Sequence, residues 1–67
     1  MEHNRRMILE RMRAHLARAE SELEATQRFL DPRTDEEAEM DLVRAVANAR
    51  TSVGDALETI RSMLGES

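Results

Sequence analysis

The stretch FLDPRTDEEAE, residues 29–39, puts the chain's one proline and five acids into eleven positions. A helix stop and a helix start are packed together here. Pro32 has no N–H and disfavours helical geometry at Asp31, so a first helix is expected to end near Leu30. Thr34 followed by Glu37 fits a capping box, in which the hydroxyl takes an orphan N–H and the carboxylate reaches back. Asp35, Glu36 and Glu37 then occupy a first turn, where negative charge favours the helix dipole. Besides capping and solubility, the acidic tip offers a binding surface as a second use.

Outward from this turn, both halves carry helical periodicity. Positions 9, 12, 16, 19, 23, 26 and 30 read Leu, Met, Leu, Ala, Leu, Thr, Leu. That alternating spacing predicts a helix over about 3–30 with a narrow apolar seam. Ile8 and Phe29 widen the seam at its ends, and His15 and Glu22 occupy the same flank in the middle. In the second half Val46, Val53 and Ile60 form a central row. Leu42, Ala49, Ala56 and Met63 flank it on one side, and Val43, Arg50, Leu57 and Leu64 on the other. The second helix is expected over about 35–64, with Gly65 as its C-terminal cap. A turn of about 31–34 is short enough to force the helices antiparallel.

The 67 residues therefore read as a single domain, 1–67, of all-α class: an antiparallel helical hairpin of two long helices. Its expected core is Leu9, Met12, Leu16, Leu23, Leu30, Val46, Val53, Leu57 and Ile60. A chain this short is marginal alone and usually gains a disulfide, a metal or a partner chain. It has no Cys, which excludes disulfides and thiolate metal sites and leaves a partner. Two helices share one seam, so a flank of helix 2 stays uncovered. Gly54 inside that helix costs about 1 kcal/mol relative to Ala, which close approach of a neighbouring backbone would rationalise, with neutral drift as the alternative. Dimerisation into a four-helix bundle is the expected solution. The interface would comprise Leu42, Ala49, Val53, Ala56, Ile60 and Met63.

Charge suggests the orientation. Residues 1–18 hold five Arg and two Glu, a net +3; residues 19–41 hold nine acids and two Arg, a net −7; the remainder balances, within an overall −4. Loops at opposite ends lay basic on acidic, so an antiparallel homodimer is expected. Arg50 interrupts an apolar row. Its stem can cover the core while the guanidinium reaches an acid. A polar core residue can also select register, and a functional contact is the third use.

Chemistry-bearing motifs are missing. His3 and His15 lack the Glu-x-x-His spacing of bundle metal sites, the serines have no suggestive His or Asp partner, and Gly54 and Gly65 are isolated. No cofactor and no catalysis are expected. Arg5, Arg6, Arg11, Arg13 and Arg18 crowd the first half of helix 1 and make nucleic acid, or an acidic partner, the alternative to a protein–protein interaction or regulatory module. Against nucleic acid stand the negative net charge and the lack of an aromatic in that zone. A heterologous protein helix taken up by helix 2 is the other partner considered. No run is long enough to span a membrane and MEHNRRMILER has no apolar signal core, so the expected location is cytoplasmic, away from membranes.

In architecture, and in its Leu-Asp turn before an acidic helix start, the chain resembles the Rop class of small plasmid RNA regulators. That resemblance implies helical hairpins dimerised into a four-helix bundle. The family's RNA-binding face uses lysines and an aromatic on helix 1. Here all ten basic residues are Arg and the single aromatic, Phe29, lies at the turn end. The resemblance therefore implies the architecture without carrying over the RNA-binding residues.

Overall fold

A computed structural model describes residues 2–65, with side chains from His3 onward. Two helices, α1 (Glu2–Gln27) and α2 (Glu37–Met63), pack against each other along their lengths. The result is a rod of 52 × 17 × 15 Å. No strand occurs among the described residues.

The turn is longer than the four residues expected from the sequence. α-Helical bonding stops at Gln27, and Arg28, Phe29 and Leu30 then donate their N–H groups to the carbonyls three residues back. These tight turns carry the chain to Leu30 before Pro32 removes the next donor. Asp31 Oδ1 accepts from the N–H of Arg33 at 2.9 Å, an Asx-type turn.

The capping box does not form. The N-cap of α2 is Glu36, whose side chain makes no capping bond. Thr34 Oγ1 accepts from the N–H of Glu36 at 3.2 Å and donates to Glu39 Oε2 at 3.2 Å. Glu39 Oε1 also accepts from the N–H of Asp31 at 3.4 Å. The carboxylate that organises the loop thus comes from Glu39, not Glu37, because the loop folds back over the first turn of α2. At the far end Leu64 donates to the carbonyl of Ile60, and Gly65 has φ +78°. That left-handed conformation is the expected use of a glycine after a helix.

Burial corrects the predicted seam of α1. The less exposed side chains are Leu9, Arg13, Leu16, Glu20, Leu23, Gln27 and Leu30, with Ala19 beside them. The Leu9–Leu16–Leu23–Leu30 row is as expected. The residues completing it come from the opposite flank, so Met12 lies 46% exposed rather than in the core, and Thr26 faces solvent. The apolar row is common to both rotations of the helix, and in the one observed Gln27 meets Arg50 across the hairpin.

The α2 seam runs Glu39, Val43, Val46, Arg50, Val53, Leu57, Ile60 and Leu64. Buried hydrophobics are few among the described residues: Leu9, Val46, Ile60 and Leu64. Leu9, Ile60 and Leu64 form one cluster with Leu16 against it. Leu64, missing from the expected core, packs with Leu9 and Ile60 at the open end of the hairpin.

Candidate interaction surface

The seam divides the hairpin into two unlike faces. One is polar. Arg13 and Glu20 of α1 share a shallow groove with Gly54, Leu57, Glu58 and Arg61 of α2. Glu20 and Gln27 line its continuation with Ala47, Arg50 and Thr51. Arg50 bridges the helices here: its Nη1 donates to Gln27 Oε1 at 2.6 Å and its Nη2 to Glu24 Oε1 at 3.2 Å. The stem covers the seam and the charge reaches an acid, as snorkelling requires. Arg50 also supplies a cation beside the carbonyl end of α1, whose own last turn has no basic residue.

Helical geometry puts the other flanks of both helices on the opposite face. On α2 this flank reads Leu42, Ala45, Ala49, Ser52, Ala56, Thr59, Met63, without one charged residue. On α1 it reads Ile8, Met12, His15, Ala19, Glu22, Thr26, with Phe29 continuing the spacing beyond the helix end. Leu42 is 51% exposed, Met63 48% and Ile8 58%. Its threonines are less polar than their type suggests. Thr26 Oγ1 donates to the Glu22 carbonyl and Thr59 Oγ1 to the Asp55 carbonyl, both at 2.9 Å. Hydroxyls satisfied within their own helix lose little on leaving water.

The six residues expected at a dimer interface divide between these surroundings. Leu42, Ala49, Ala56 and Met63 lie on the uncharged flank. Val53 and Ile60 lie in the seam, and Ile60, 4% exposed, is already covered by α1. Helix periodicity ranks Ile60 with its neighbours on the same broad face, and only the position of α1 separates them.

The five arginines do not converge. Arg6 pairs with Glu10 at 3.5 Å and its Nη1 donates to the Leu64 carbonyl at 3.4 Å. Arg13 lines the polar groove. Arg11 and Arg18 share a stripe on the back of α1, turned away from α2, and Arg5 borders the uncharged face. His15 is exposed on that face, and the described residues hold no group of three or more metal-ligating side chains placed for an ion. No helix among the described residues is long and apolar enough to cross a membrane. No family model, no curated protein and no solved structure matches this chain.

Proposed function

We propose that the protein is a non-catalytic interaction module that works as a homodimer, two hairpins packed face to face into a four-helix bundle. The observation that carries this reading is the uncharged α2 flank from Leu42 to Met63, lying beside Ile8 and Met12 of α1 on one side of the rod. Charged residues are 36% of the chain, so a seven-position helical stripe without any is a surface suited to burial. The small intra-hairpin core supports the same reading, since a chain this short is marginal without further apolar contact. The net +3 of residues 1–18 and the net −7 of residues 19–41 favour loops at opposite ends.

The test is absolute mass by light scattering over a concentration series, with refractive-index detection because the chain has no Trp or Tyr. A mass of twice the 7.7 kDa chain supports the homodimer. A monomeric mass at all concentrations overturns it and assigns the uncharged face to a different protein.

A further inference from the structure

The α1 flank has a symmetry of its own. Ile8 and Phe29 lie equally far from the point midway between Arg18 and Ala19, and so do His15 and Glu22. Both ends of the stripe are exposed hydrophobics, Ile8 at 58% and Phe29 at 88%. A base and an acid stand on either side of its centre, and the centre itself is Ala19. A stripe of this kind is complementary to a copy of itself only when the copy runs in the opposite direction.

We infer that the two hairpins meet in one register, with α1 lying antiparallel on the second copy's α1 and crossing it between Arg18 and Ala19. This rests on the homodimer reading above and adds the orientation and the residue pairs. Ile8 then covers the second copy's Phe29, and His15 stands opposite the second copy's Glu22. Each pair occurs twice, as a two-fold axis demands.

α2 fits the same axis. Across the hairpin Leu9 packs with Leu64, Glu20 approaches Gly54, and Gln27 binds Arg50. By that correspondence the centre of the α1 stripe is level with Ala56. Ala19 and Ala56 thus lie together on the axis, and small side chains there let the two hairpins approach closely. Two helical turns further out, Ala49 falls beside the second copy's Met63, a small residue against a long one.

The ends are matched as well. Leu64, the C-cap of α2, packs on Leu9, so residues 3–8 of α1 run on past this contact as an exposed overhang, with Arg6 reaching back to the Leu64 carbonyl. At about 1.5 Å per residue this overhang is about 9 Å long. It carries Met7 and Ile8 with Arg5 and Arg6. At the opposite end of the rod the exposed Phe29 belongs to the same loop end as Asp31, Asp35, Glu36 and Glu37. An end that carries exposed apolar side chains with arginines and an end that carries an exposed phenyl ring with acids complement each other. With the loops at the same end, Phe29 and the acids of both copies would instead crowd together, as would the arginines of both α1 N-terminal turns.

Cysteine cross-linking tests the register cleanly, because the chain has no Cys. Ile8→Cys and Phe29→Cys proteins, mixed in equal amounts and oxidised, are expected to give a mixed disulfide dimer by mass spectrometry. Each variant alone is expected to give only background cross-linking. Efficient self-linking of Phe29→Cys, or no mixed disulfide from a chain whose mass is dimeric, overturns the register and leaves the homodimer standing. A monomeric mass of the unmodified chain overturns both. A charge exchange supplies a check that does not touch the apolar ends. His15→Glu sets acid against acid and is expected to raise the dimer dissociation constant about three- to tenfold. Adding Glu22→Arg to that variant is expected to restore it, and failure of that rescue counts against the register.

Discussion

Arg50 on α2 and Gln27 on α1 meet at 2.6 Å, Nη1 donating to Oε1, at the edge of the seam between the helices. The same guanidinium reaches Glu24 at 3.2 Å. This pairing brings together residues 23 positions apart and accompanies one rotation of α1. With Gln27 held against Arg50, the flank bearing Arg13, Glu20 and Gln27 closes toward α2, and the flank bearing Met12 opens to solvent.

Replacing Arg50 by Met keeps most of the stem and removes the guanidinium. The expected loss is about 0.5–1 kcal/mol, kept small because Arg50 and Glu24 are both well solvated. Thermal unfolding followed by circular dichroism reads it. A double-mutant cycle with Gln27→Ala isolates the pair, and a coupling energy of zero would mean that packing alone sets the rotation.

Gly54 has room for a side chain. A Cβ built there meets only Glu20 Oε2, at 4.0 Å. The close helix approach invoked from the sequence is therefore not what holds glycine at this position within the hairpin. Gly54→Ala is expected to stabilise the protein by about 1 kcal/mol through helix propensity. It lies on the polar face, so the mass in solution should not change. A fall in melting temperature would indicate a second backbone packed against that face.

The loop depends on Glu39. Its carboxylate takes the N–H of Asp31 and the hydroxyl of Thr34. Glu39→Ala is expected to cost about 1 kcal/mol and to raise amide exchange across residues 31–36. Glu37→Ala removes only a favourable first-turn charge and is expected to cost about 0.5 kcal/mol. Equal effects would restore the capping box as the working description in solution.

Leu64→Ala opens a cavity against Leu9 and Ile60 and is expected to cost about 2–3 kcal/mol, a large share of a small domain's stability. Met12→Ala removes no intra-hairpin core. Its effect is expected to grow with protein concentration, because the proposed dimer would cover Met12. Urea titrations at two concentrations separate these cases.

Ala49→Glu puts a charge in the middle of the uncharged flank. It is expected to reduce the solution mass to that of one chain while leaving the helical content of the hairpin in place. An unchanged dimeric mass would remove this face from the interface.

The sequence by itself determined that there are two helices, roughly where they stop, and which row of each is apolar. Pro32, the acids after it and the repeat of Leu9, Leu16, Leu23 and Leu30 are local signals, and local signals are legible one segment at a time. It also placed Leu42, Ala49, Ala56 and Met63 together on one flank. It could not tell that flank from the seam at Ile60, nor choose Arg13, Glu20 and Gln27 over Met12, Ala19 and Thr26. A helix whose apolar row is one residue wide can roll either way about that row, and its own periodicity is equally satisfied by both. Only the tertiary structure decided the roll, and in it Arg50 reaches Gln27 and Glu24 from the other helix. The loop was decided in the same way. The residue three places after Thr34 satisfies the capping pattern, but the chain folds back far enough for Glu39, one turn into α2, to hold both Thr34 and Asp31.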